Sequence, residues 1–227
     1  MHYDPPKIKP LGESCVVVEF GDEISEEINA KAIALADYIH RDRFPGLIEA
    51  VPAYASTTVF FDVATIAKSI GCGENISSLV ESVLNDSVTA MSLATSSERD
   101  EVEIPTDFGP AAGLDIKSVA SHCQLNSTDV IDIFTSRTYR VFMIGFLPGF
   151  AYMGETDERI HVPRLVQPRA KVPKGSVGLA GAQTGVYPLE SPGGWQIIGR
   201  TTVEMFDPTV DPPSRLSAGD LVRFTPI

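Results

Sequence analysis

Apolar and polar positions along the chain change period several times, and each change marks an element. Ser14 to Phe20 is β-branched and apolar and predicts a strand ended by Gly21 and Asp22. Ser25 is a good N-cap, with Glu26 and Glu27 in the first turn, where the helix dipole favours acids. Ile28, Leu35 and Ile39 then recur at helical spacing, predicting a helix that ends before Phe44-Pro45-Gly46. Leu47 to Tyr54 and Ser56 to Asp62 read as two strands. Residues 75–86 read as a second helix with Ile76, Leu79, Val80 and Val83 on one side, and residues 88–93 as a final strand. The resulting β-α-β-β-α-β order is the ferredoxin-like split motif.

The second half opens with a strand at Glu101 to Pro105. Two short helices follow, Ile116 to His122 and Ser127 to Phe134, the latter with Ser127 as its expected cap. Tyr139 to Phe146 is strand-like. Beyond Pro148 the pattern breaks into short apolar pieces, and residues 145–200 hold ten glycines and six prolines. Short strands with frequent turns predict an antiparallel barrel or sandwich. The clearest strands are Val177 to Ala180, Trp195 to Ile198, Thr202 to Phe206 and Leu221 to Phe224, with Ala218-Gly219-Asp220 as the last hairpin turn.

Composition supports two domains. Residues 1–100 carry 16 acids, 7 bases and 5 glycines; residues 101–227 carry 14 acids, 11 bases and 13 glycines. The small, polar segment 94–100 suits a linker, so the expected domains are 1–93 and 101–227. The formal net charge of −12 over 227 residues argues against nucleic-acid binding. Cysteines at 15, 72 and 123 are odd in number and widely spaced, which suits a reducing compartment. With no signal-like start and no long apolar run, a soluble, cytoplasmic protein without a membrane partner is expected.

Phosphate-loop, zinc-protease and nucleophile-elbow signatures are missing from the sequence, and the four histidines show no metal-ligand motif. His122 reads as a helix histidine bonded to backbone or water. The first informative feature is a charge reversal: Arg159, Arg164, Arg169, Lys171 and Lys174 occur with no acid between Arg159 and Glu190. Such a loop, stiffened by prolines, suits a phosphate or carboxylate; a solvated face or a strip for an acidic partner is the alternative. The second is Gly181 to Tyr187 with Ser191 to Trp195, where Gly185, Gly193 and Gly194 allow close approach and Gln183, Thr184, Tyr187 and Trp195 supply hydrogen bonds and surface. The third is the apolar loop Phe146, Leu147, Pro148, Gly149 and Phe150, expected to face a cleft or a partner. His161 and Glu190 are the candidate acid–base groups.

These motifs resemble those of the allophanate hydrolase subunit 1 family. The resemblance rests on Gly145-Phe-Leu-Pro-Gly-Phe150, Val162-Pro-Arg-Leu-Val-Gln-Pro-Arg169, Val172-Pro-Lys-Gly-Ser-Val177, Gln183-Thr-Gly-Val-Tyr-Pro188 and Ser191-Pro-Gly-Gly-Trp195. It extends to Ile198-Gly-Arg-Thr201 and, in the first half, to Val18-Glu-Phe-Gly-Asp-Glu-Ile-Ser25 and Val51-Pro-Ala-Tyr-Ala-Ser56. One departure is the turn after Pro105, where Thr106-Asp-Phe-Gly-Pro110 is shorter than the family pattern. The resemblance implies an α+β chain with an N-terminal ferredoxin-like domain and a C-terminal cyclophilin-like β-barrel of carboxyltransferase type. It implies the B subunit of a 5-oxoprolinase, working with the A and C subunits, the latter a homologous barrel, to open the 5-oxoproline lactam to glutamate. ATP would be co-substrate of the assembled complex, and the chain alone is expected to be inactive. The same family includes a histidine-kinase inhibitor and one half of the carboxyltransferase of urea amidolyase, which are the alternative roles.

Overall fold

A computed structural model describes residues 1–69, 75–91 and 101–227. The chain divides into two compact units, Met1–Glu98 and Arg99–Ile227. Cys72 and the expected linker 94–100 lie outside the described residues.

The first unit runs β1 (His2–Pro10), β2 (Cys15–Gly21), α1 (Glu26–Arg41), β3 (Leu47–Pro52), β4 (Ser56–Phe61), α2 (Val63–Ser69) and α3 (Ile76–Met91). Its antiparallel sheet has the order β1-β2-β4-β3. The helix α1 buries Ile28, Ala32, Leu35, Ala36 and Ile39, one face at the 3.6-residue period, against Val16, Val18, Val59 and Phe61 of the sheet. Ser25 occupies the N-cap position, but its side chain makes no capping bond. Buried polar groups are paired: Thr57 Oγ1 donates to Ala32 O at 2.6 Å, and Asn29 Nδ2 donates to Ala53 O at 3.0 Å.

The strand expected at 88–93 is a correction. Residues 88–91 belong to α3, and 92–93 lie outside the described residues. Val80, Leu84, Ser87 and Met91 are buried at helical spacing, so packing overrides the local β-branched signal of Val88 and Thr89. The flank of β2 expected to take that strand is occupied by β1, which lies at the start of the chain. The ferredoxin-like layer is therefore completed by a strand from the N-terminus.

The second unit begins with β5 (Glu101–Thr106), α4 (Ile116–His122), α5 (Ser127–Thr135), β6 (Thr138–Ile144) and β7 (Ala151–Gly154). A 3₁₀ turn at Glu158–Ile160 leads to β8 (Arg169–Val172), β9 (Ser176–Ala180), β10 (Gln183–Val186), β11 (Ser191–Gly193), β12 (Gln196–Arg200) and β13 (Leu221–Pro226). Seven strands form one sheet in the order β12-β9-β10-β7-β6-β13-β5, with β8 and β11 as a separate pair. Asp107, just past β5, exchanges both backbone hydrogen bonds with Arg200 at 2.8 Å, joining the two ends of the sheet. This closes the cyclophilin-like barrel and covers its edges. Ile104, Val141, Met153, Val177, Leu179, Ile198 and Val222 fill the interior. The helix α5 plugs it with Phe134, whose ring lies 5.1 Å from Tyr139 and 4.9 Å from Phe224. Tyr139 donates to Phe134 O at 2.7 Å, and burial pushes its phenol well above the usual range.

Three expectations change here. Thr202 to Phe206 is not a strand; only Phe206 forms an isolated bridge, to Ser214. The cap of α5 is Asn126, in a reciprocal capping box with Asp129, rather than Ser127. The Ala218-Gly219-Asp220 turn feeds β13, but β13 pairs with β5 and β6 from far earlier in the chain, so it is not a hairpin.

Candidate functional site

The apolar loop Gly145–Phe150 reverses the chain between β6 and β7. Gly149 has φ +79°, and a Cβ there would fall 2.8 Å from Met205 O, so only glycine fits. Phe146 also adopts a positive φ, +62°. Gly145 N donates to Phe150 O at 3.0 Å and closes the loop. The reversal sends neighbouring aromatics to different places: Phe150 is 1% exposed and Phe146 60%. Leu147 packs against the inner cluster, and Pro148 is exposed.

Around Phe150 the structure assembles an aromatic cleft of about 240 Å³. Phe150 is the hub, with ring centroids 4.8 Å from Tyr152, 5.3 Å from Tyr187 and 5.4 Å from Trp195, all edge to face. Phe146 closes one side, 5.5 Å from Phe150 and perpendicular to it. Pro168, Pro192, Gly193 and Gly194 line the remainder together with Arg164. Two glycines set the shape. A Cβ on Gly185 would meet the Phe150 ring at 2.9 Å, and one on Gly193 would collide with the Tyr187 hydroxyl. Burial raises the phenols of Tyr152 and Tyr187. The Trp195 backbone N–H and the Arg164 charge oppose the rise at Tyr187, and Arg164 opposes it at Tyr152.

The basic loop does not remain basic in three dimensions. Arg159 grips Asp157 through Nε at 2.9 Å and Nη2 at 3.0 Å. Arg169 forms a two-pronged pair with Asp115, at 2.9 and 2.5 Å. Lys171 faces Glu190 at 3.2 Å, and Lys174 holds both oxygens of Glu204 at 2.5 and 2.7 Å. Four of the five cations thus have a carboxylate within the chain. Arg164 is exposed, lines the cleft and has no carboxylate partner among the described residues.

Arg169 therefore serves an internal link. Asp115 sits at the N-cap position of α4 and also accepts from Ile197 N at 2.6 Å, so the pair ties β8 and α4 to β12. The other proposed site residues divide as sharply. Thr184 is fully buried and donates to Gly178 O at 3.0 Å, a barrel contact, and Gln183 lies beside it on β10. Gly185 acts behind the cleft by seating Phe150. His161 Nε2 bonds Thr156 O at 3.1 Å, and Glu190 is occupied by Lys171; neither lines the cleft. Pro168 and Pro192 lie within, and Tyr152 just past, the motifs read from the sequence, but none was among its candidate site residues. Tyr152 was within reach of it, since it stands two residues beyond Phe150 on a strand and so shares its face. Among the described residues no group of three His, Cys, Asp or Glu side chains could hold a metal ion.

Comparison with known proteins places this geometry in a family. A model of the carboxyltransferase domain, subdomain C and D, matches residues 6–216. The chain is 45% identical over 224 residues to a protein named as the B subunit of 5-oxoprolinase from Bacillus subtilis (strain 168), covering 97% of this chain and 92% of the relative. A protein of the same name from Escherichia coli O157:H7 is 37% identical, over 95% of this chain and 94% of the relative. The solved urea carboxylase of Kluyveromyces lactis superposes on 98% of this chain and 22% of its own with a TM-score of 0.72; at 19% identity this shows the shared fold. With the match running through both units, the chain belongs to the family of carboxyltransferase domains, subdomains C and D.

Proposed function

We propose that this chain is the B subunit of an ATP-dependent 5-oxoprolinase, which opens the 5-oxoproline lactam to L-glutamate together with two further proteins, its A and C subunits, the latter a homologous barrel. The observation that carries this reading is end-to-end similarity, at 45% and 37% identity, to two proteins named as B subunits of 5-oxoprolinase. The surface supports a place in a larger assembly. Phe146 is 60% exposed at the lip of the cleft, and Val166 of the adjoining loop is fully exposed, as suits residues that a second protein covers.

The chemistry requires help beyond this chain. A five-membered lactam is a stable amide, so hydrolysis needs an activated carbonyl. A phosphoryl group from ATP on the lactam oxygen would make the ring carbon electrophilic. Water would add, the ring C–N bond would break to free the amine, and a second water would release phosphate from the resulting acyl phosphate. The aromatic cleft does not fit a triphosphate. Four loop cations are already paired with carboxylates, and the cleft presents Arg164 among aromatic walls. ATP is accordingly assigned to the assembled complex rather than to this cleft.

The test is co-expression with the genomic neighbours and an assay of 5-oxoproline-dependent ATP hydrolysis with glutamate as product. Turnover is expected for the co-purified complex and not for the isolated chain. A stable complex with no such turnover would remove the oxoprolinase reading, and robust turnover by the single chain would remove the division of labour.

A further inference from the structure

The aromatic cleft has dimensions and chemistry that describe a ligand. A volume of about 240 Å³ equals that of roughly eight liquid waters, too small for a nucleotide and well matched to a compact ring carrying one substituent. Its walls are ring faces and edges from Phe146, Phe150, Tyr152 and Trp195, which favour a flat, weakly polar body. Among the described residues its one charged lining group is Arg164, whose planar fork suits a carboxylate and which none of their carboxylates occupies. The neighbouring cations are excluded by their own pairs, so the positive charge on offer is local.

We propose that this cleft binds a compact cyclic amide bearing a single carboxylate, with the ring among the aromatic walls, where Phe146 and Tyr152 are the more open ones, and the carboxylate held by Arg164. In the setting of the function proposed above, on which this assignment rests, the ligand is 5-oxoproline, and Arg164 is the residue that selects its carboxylate. Tyr187 contributes a buried wall, its hydroxyl packed against Gly193 and accepting from the Trp195 backbone N–H.

The chain contains its own reporter. Trp195 is the single tryptophan, so its emission reads occupancy of the cleft in the intact, unlabelled chain. Titration with 5-oxoproline should change that emission saturably. Arg164→Gln should weaken binding ten- to hundredfold, the expected loss for a charge-assisted pair. Binding of 2-pyrrolidone, the same ring without the carboxylate, should be weak and unaffected by the substitution. Arg164→Lys should recover part of the affinity, and Arg159→Gln, outside the cleft, should leave it unchanged. Among the described residues Arg164 makes no ion pair, so its variants should keep the wild-type unfolding midpoint. In the assembled complex, Arg164→Gln should raise KM for 5-oxoproline with kcat largely retained.

Two results overturn the assignment: a Trp195 signal that ignores 5-oxoproline while the complex turns it over, or equal affinity of wild type and Arg164→Gln. The function and the cleft can fail separately. A complex without oxoprolinase turnover whose Trp195 signal still depends on Arg164 and the ligand carboxylate would remove the first and retain the second.

Discussion

The Asp115–Arg169 pair permits the sharpest test of the fold around the cleft. Asp115 is 6% exposed and accepts three hydrogen bonds, two from the Arg169 guanidinium and one from Ile197 N. Replacing Asp115 by Ala removes all three and orphans a backbone N–H inside the barrel wall. An orphaned buried donor costs about 1–3 kcal/mol, and a hydrogen bond to a charged group about 1.5–3 kcal/mol. The Arg169 side chain is 28% exposed and can regain some water, so the ionic part belongs at the low end of its range. Together these give about 3 kcal/mol. For a chain of this size that corresponds to a fall in Tm of roughly 6–12 °C. Asp115→Asn keeps an acceptor for Ile197 N and should lose about half as much. The assay is urea unfolding followed by Trp195 emission, which reports on the second unit alone, in a double-mutant cycle with Arg169→Ala. The coupling should be about 1.5 kcal/mol, the low end for a hydrogen-bonded charge. Coupling below about 0.5 kcal/mol would refute the linkage, since pairs that do not interact add to within that amount. An Arg169→Ala variant of unchanged stability but raised KM would restore Arg169 to the role of a ligand-binding cation.

Acid titration offers a second test. The side-chain bonds from Arg159, followed by its backbone N–H, hold the Asp157 carboxyl well below the usual carboxylate range. Because the folded value lies below the unfolded one, about 3.9, the stabilisation is complete above that pH and is lost as pH falls through the folded value. Asp157→Asn should flatten the acid limb of stability against pH, and superimposable limbs would count against the pair. Gly185→Ala should push the Phe150 ring toward the cleft, cost about 1–3 kcal/mol by overpacking and perturb Trp195 emission; a variant with wild-type stability and spectrum would show that the contact relaxes freely.

Much of the molecule was legible in linear order. The ranges expected for the first helix, the two strands after it and the helices at 116–122 and 127–134 match observed elements within a few residues, because each carries a complete period of apolar positions. The loop motif at 145–150 was visible as an anomaly, too apolar for a surface turn. Its resolution into one buried and one exposed phenylalanine needed the backbone, since the positive φ values at Phe146 and Gly149 set the two directions. Residues 88–91 show the opposite case. Their local preference is mixed, and burial of Met91, one turn beyond Ser87 and two beyond Leu84, decides for helix.

The sequence by itself determined the α+β class and the glycine and proline punctuation that the barrel turns require, because these follow from local periodicity and backbone stereochemistry; its periodicity left barrel and sandwich open, and the motif resemblance pointed to the barrel. It also displayed five cations in sixteen residues with no acid among them. Only the tertiary structure decided what those charges do. Asp115, Glu190 and Glu204 arrive from three other segments and engage Arg169, Lys171 and Lys174, while Asp157, two residues away, engages Arg159; Arg164 is left beside the rings of Phe150, Tyr152 and Trp195. Coulomb interaction depends on distance in space and on exposure, and neither is a property of neighbours along the chain. The N-terminal strand that completes the first sheet has the same cause: an edge is filled by whatever segment the fold brings beside it, irrespective of its place in the sequence.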